Sequence, residues 1–172
     1  MNSRYVRLGQ LLLGLALIFA AVPALAADDD EPKLPDPEDL TLHTLDKVEI
    51  KATYWEPKEP GKSTVPVILL HGWEGKRQEF DILARTLQEQ FDHAVISIDL
   101  RGHGGSTTRN NPAANEREEI DIKKLTRKDL EAMIADVHAA KSFLLKKHRE
   151  GKLNIELLTL VGADLGATVA LR

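Results

Sequence analysis

Apolar positions along this chain recur in three different ways, and each predicts a different kind of element. At residues 48–55, Val48, Ile50, Ala52 and Tyr54 alternate with Glu49, Lys51 and Thr53. That period of two marks a half-buried antiparallel strand. Residues 41–45 form a second strand-like run before it, and Asp46-Lys47 between the two reads as a tight hairpin turn. Residues 65–70, 94–100 and 155–161 are instead nearly continuous apolar runs. Such runs suit strands buried on both faces of a parallel sheet.

The third pattern is helical. Phe80, Leu83 and Leu87 share a face over residues 76–90, and Leu130, Met133, Ile134, Val137, Leu144 and Leu145 do so on a longer helix. Thr126 with Asp129 three residues on makes a capping box at its start, and Gly151 closes it after Lys146, Lys147 and Arg149. Cations at a helix end match its dipole, so this basic cluster reads as a solvated terminus. Pro57, Pro60 and Gly61 make a loop. Residues 107–124 are polar, contain Asn110-Asn111-Pro112 and read as a loop with a helical turn. Strand, helix, strand, helix, strand predicts an α/β fold with a doubly wound, mostly parallel sheet.

The N-terminus has a different character. Arg4 and Arg7 precede the short apolar run 11–21, and Pro23 introduces Ala24-Leu25-Ala26. This is the layout of a cleaved export signal over residues 1–26, and it predicts a secreted or periplasmic protein. A spanning helix wants about 20 apolar residues, so a retained anchor is the weaker reading. Residues 27–39, with Asp28-Asp29-Asp30-Glu31 and three prolines, predict an acidic, proline-punctuated lead-in to a domain at 40–172. Signal removal shifts the net charge from −4 to −6 (21 Lys and Arg against 27 Asp and Glu). An acidic mature chain argues against nucleic acid or an anionic membrane as partner. With no cysteine, there is no disulfide or thiolate metal site, so stability rests on a packed core.

Three segments fall where such a sheet places its ligand, at the C-terminal ends of parallel strands. They are His71-Gly72-Trp73-Glu74-Gly75, Asp99-Leu100-Arg101-Gly102-His103-Gly104-Gly105-Ser106, and Gly162-Ala163-Asp164-Leu165-Gly166. The last looks like a nucleophile elbow, a sharp strand-to-helix turn that needs small neighbours, here Gly162, Ala163, Gly166 and Ala167. In this order and spacing the three resemble the α/β-hydrolase superfamily, over about residues 40–172. There an HG-x turn, a DxRGxGxS segment and the elbow follow successive strands.

Carried over, the resemblance makes Asp164 the nucleophile and the backbone N–H groups of Trp73 and Leu165 the anion-binding hole. His71, Gly72 and Trp73 become candidates for contact with a small-molecule substrate. A carboxylate at the elbow suits displacement at carbon through a covalent ester, which looks like the device of haloalkane dehalogenases and epoxide hydrolases. Glu74 stands where that branch usually has proline. With no serine at the elbow, serine-type ester or peptide hydrolysis is disfavoured.

Other readings are bland. Asp164 also fits an ordinary N-cap, and Trp73 fits either a pocket wall or local packing. His71 has no second ligand at metal spacing and reads as a structural residue of its turn. Asp99 and Arg101 read as braces of their loop. Gly102, Gly104 and Gly105 lack the Gly-Lys-Ser/Thr ending of a phosphate loop. No metal or organic cofactor is implied.

In the superfamily the triad base follows the nucleophile, yet all six histidines precede Asp164. The expectation is therefore a fragment of a longer hydrolase, inactive alone and poorly soluble, with an apolar strand left at a sheet edge. The alternative is a hydrolase-fold binding or accessory protein without catalysis. The particular substrate and the oligomeric state are not encoded in any motif.

Overall fold

A computed structural model describes residues 33–111 and 116–172. The export signal at 1–26 and residues 27–32 of the lead-in lie outside the described residues. The sheet begins with an antiparallel pair, β1 (Glu38–His43) and β2 (Val48–Trp55). Strand β1 opens inside the expected lead-in. The connecting turn runs over residues 44–47 rather than Asp46-Lys47 alone: the Thr44 hydroxyl accepts from Val48 N–H at 2.9 Å, and Lys47 takes the left-handed φ of 69°.

Strand β2 is central, and that corrects its half-buried reading. It pairs with β1 along one side and with β4 (Ala94–Ile98) and β5 (Thr108–Asn111) along the other. Its polar positions Glu49 and Thr53 are buried too, while Lys51 stays partly exposed. The Thr53 hydroxyl accepts from Arg77 Nε at 3.0 Å, and Glu49 accepts from Asn110 and Arg117. The strand order is β6-β5-β2-β4-β3-β7, with β3 (Pro66–Leu70), β6 (Glu116–Glu119) and β7 (Thr159–Gly162) completing seven strands among the described residues. Pairs β3–β4 and β3–β7 are parallel, so the sheet is mixed, with its parallel part next to the three glycine-rich turns.

Alternate residues of β3 and β4 explain why those runs are apolar throughout. Ile68, Leu70, Ile96 and Ile98 face one core, shared with α3 (Ile134–Arg149) through Met133, Val137, Ala140 and Leu144. Val67, Leu69 and Val95 face the other, shared with α1 (Asp81–Phe91). The buried stripe of α1 is Phe80, Ala84, Leu87 and Gln88, whereas Leu83 is partly solvent-facing. A short 3₁₀ turn, Arg77–Phe80, leads into α1.

Three expectations are revised. The polar run 107–124 contains the β5–β6 hairpin before its 3₁₀ turn at Ile122–Lys124. The hairpin's second strand is charged and exposed, its first is polar and half-buried, and it exists because β5 docks on the start of β2. The long helix is divided at Met133 into α2 (Arg127–Ala132) and α3, where the bonds tighten to Met133 N–H→Leu130 O and Asp136 N–H→Met133 O. Its capping box at Thr126 and Asp129 forms as expected, and Gly151 closes it at φ 77°. Finally, residues 155–161 begin with a 3₁₀ turn, Ile155–Leu157, capped by Asn154, and only β7 follows. Strand β7 lies at the sheet edge with Thr159 and Leu160 exposed, since β3 covers one flank only.

Candidate active site

The β7–α4 turn carries Asp164, and its shape follows from backbone contact. Helix α4 (Leu165–Ala170) begins directly over the end of β3. Ala163 N–H donates to Leu70 O at 3.0 Å, and Gly166 N–H to His71 O at 3.1 Å. A Cβ on Gly166 would press into the Leu70 carbonyl, and one on Gly162 into the Gly166 backbone. Glycine is required at both places by that approach. Asp164 at the apex has φ 48° and ψ −109°, a conformation costly for a residue with a Cβ. Its side chain makes no capping bond within α4 and points to the neighbouring turn, where Oδ2 accepts from Trp73 N–H at 3.0 Å. Gly72 leaves room for this, because a Cβ there would lie 3.3 Å from that of Asp164.

The structure thus brings Asp164, Gly72 and Trp73 together, with Trp73 45% exposed and Leu165 opening α4 half-buried. His71, expected from the resemblance as a candidate substrate contact, lies in the layer beneath and is 0% exposed. Leu100 N–H donates to His71 Nε2 at 3.0 Å, and a backbone amide can only donate, so the neutral ring carries its proton on Nδ1. That Nδ1–H donates to Gly72 O at 2.7 Å. Burial holds the His71 pKa below the usual imidazole range.

A depressed folded pKa means the unfolded chain takes up this proton first. The stability from neutral His71 is complete above the unfolded value of about 6.5 and is lost as pH falls below it toward the folded value. Urea midpoints measured from about pH 7.5 to 5.5 should fall. The fall should be shallower in His71→Gln; equal slopes would remove His71 as the cause.

Two residues of this layer were not singled out by sequence. His103 is 2% exposed, with its ring centroid 5.1 Å from that of His71 and edge-on to Trp73 at 5.3 Å. Its Nδ1 bonds Arg101 O, and Nε2 has no partner among the described residues. It lay within the quoted Asp99–Ser106 motif, which was the available signal. Arg77 had none. Its N–H and Nη1 each donate to the buried Asp99 carboxylate at 2.6 Å, and Gly105 N–H adds a third bond at 2.8 Å.

Arg101 is a brace, as read from the sequence. Its guanidinium is fully buried between Asp136, at 2.7 Å, and Asp46, at 2.6 Å. Burial alone would lower its pKa, but the hydrogen bonds it donates to Asp136 and Asp46 hold it above its ordinary value. Among the described residues, no cluster of three His, Asp or Glu side chains is arranged to hold a metal, and no helix is long and apolar enough to cross a membrane.

Residues 65–172 match the family model of the alpha/beta hydrolase fold, and the chain belongs to that family. It is 36% identical over 67 residues to a serine hydrolase-like protein of Dictyostelium discoideum, covering 39% of this chain and 18% of that one. Among solved structures it resembles an esterase of Pyrococcus furiosus, with TM-score 0.55 and 23% identity over 80% of this chain and 45% of the other. An epoxide hydrolase of Vigna radiata superposes with TM-score 0.52 and 18% identity, over 78% of this chain and 32% of that enzyme. The chain therefore spans less than half the length of these relatives.

Proposed function

We propose that this protein is an exported hydrolase that attacks carbon electrophiles of small organic molecules through Asp164. Export rests on the 1–26 signal pattern, and the chemistry rests on one observation: Trp73 N–H is engaged by the Asp164 carboxylate itself, through Oδ2. At a serine elbow that donor would wait for the substrate's oxyanion. Here it anchors one carboxylate oxygen and leaves Oδ1 to attack. The carbon–leaving-group bond breaks as the Oδ1–carbon bond forms, and its electron pair departs with a halide or an opened epoxide oxygen. In the second half, water attacks Cγ of the ester and gives a proton to solvent, and negative charge gathers on Oδ2 beside Trp73 N–H. The Cγ–Oδ1 bond then breaks to release the alcohol and restore the carboxylate. The backbone N–H of Leu165 is assigned as the second donor. His71 does not act as base, because both ring nitrogens are engaged.

The first half-reaction needs no general base, so the alkyl ester can be looked for in this chain directly. Intact mass spectrometry after incubation with alkyl halide and epoxide probes should show one adduct, mapped to Asp164 and absent in Asp164→Asn. No adduct with halide, epoxide or ester probes would favour the non-catalytic accessory reading.

A further inference from the structure

We infer that His71 is a positioning residue for the anion-binding donor, acting through the peptide bond that joins Gly72 to Trp73. That one peptide carries the Gly72 carbonyl at one end and the Trp73 N–H at the other. The carbonyl accepts twice, from His71 Nδ1–H at 2.7 Å and from Gly75 N–H at 3.1 Å. The N–H donates once, to Asp164 Oδ2 at 3.0 Å. Hydrogen bonds in series polarise one another: drawing electron density toward the carbonyl oxygen makes the N–H of the same amide a better donor.

Geometry reinforces the electronic effect. The imidazole is fully buried and pinned at its far side by Leu100 N–H, so Nδ1 cannot swing away from the carbonyl. The peptide is held at both ends and cannot flip its N–H out of the site. A backbone bond from Gly166 N–H to His71 O ties the same residue to the start of α4. One buried side chain therefore sets both the direction and the strength of the donor facing Asp164. The catalytic weight of this arrangement rests on Asp164 being the nucleophile, whereas the arrangement itself does not.

Two substitutions separate the donor from the strut. Asn places its amide nitrogen near the position of Nδ1, so His71→Asn keeps a donor to Gly72 O and loses the acceptor for Leu100 N–H. Gln reaches the position of Nε2, so His71→Gln keeps that acceptor and loses the donor to Gly72 O. The readout is the Trp73 amide proton in ¹⁵N–¹H spectra of the full chain, with thermal melts of both variants alongside. The Trp73 resonance should stay near its wild-type position in His71→Asn and move upfield in His71→Gln, whichever variant melts lower.

Breakdown of the Asp164 ester, the step in which charge gathers on Oδ2, should then be roughly three-fold slower in His71→Gln than in His71→Asn. An equal Trp73 shift in the two variants, or the larger one in His71→Asn, overturns the inference. Absence of adduct in the wild-type chain, with the Trp73 shift behaving as stated, overturns the proposed chemistry and leaves the inference standing.

Discussion

Asp136→Ala should destabilise the folded chain by about 3 kcal/mol, the range seen when one partner of a buried ion pair is removed. Asp136 and Arg101 are both completely buried. The carboxylate takes Arg101 Nη2 at 2.7 Å, Nε at 3.0 Å and the backbone N–H at 3.0 Å. Its loss leaves a buried cation with Asp46 as its remaining partner, and the Asp46 side chain is 42% exposed, in a screened position. Asp46 keeps the loss from reaching the upper end of the range. Replacing both charges by apolar residues, Arg101→Met with Asp136→Leu, should recover most of the stability, since neither group then needs a partner. Urea denaturation checks both. A loss under about 1 kcal/mol in Asp136→Ala would mean that this pair does not hold the loop.

Gly166→Ala should cost about 2–3 kcal/mol and should also abolish adduct formation on Asp164. The new methyl group would lie 2.6 Å from Leu70 C and 2.7 Å from His71 O, besides pressing on the Leu70 oxygen. These are backbone atoms of a buried strand end and cannot rotate away. The helix start must move instead, carrying Asp164 off Trp73 N–H. Gly61→Ala is the control, because the nearest atom there is Glu59 O at 4.0 Å. It should leave both urea midpoint and adduct yield unchanged. Adduct at the wild-type rate in Gly166→Ala would show that close approach at the turn is not what presents Asp164.

What the chain disclosed in advance was set by how local each cause is. Strands β3 and β4 were legible because two-sided burial writes itself into every residue of the run. The capping box at Thr126 and Asp129 was legible because both partners lie within one helical turn. The β5–β6 hairpin was hidden, since its residues are polar or charged and its strand form depends on docking against Val48 and Glu49, far away in sequence. Residues 155–161 misled in the opposite sense. Their composition suits a buried strand, yet Asn154 starts a 3₁₀ turn and the shorter strand that follows lies at an edge.

The site divides along the same line. The three glycine-rich turns were readable as motifs, and in the fold Asp164 lies against Gly72 and Trp73. The withdrawal of His71 into the layer beneath was not readable, because it depends on Leu100 offering an amide across two strands. Arg77 was equally invisible: its partner Asp99 lies 22 residues away, and an arginine opening a helix carries no mark of a distant carboxylate.

The Asp99 clasp has a mechanical consequence. Because one buried carboxylate grips both Arg77 and Gly105, the rim bearing Trp73 and the rim bearing His103 are riveted into a single plate. The opposite rim, led by Leu165, is fastened to the strand ends by the backbone bonds of Ala163 and Gly166. Both rims are thus tied to the ends of the strands beneath them, so the sheet itself sets the spacing between Trp73 and Asp164.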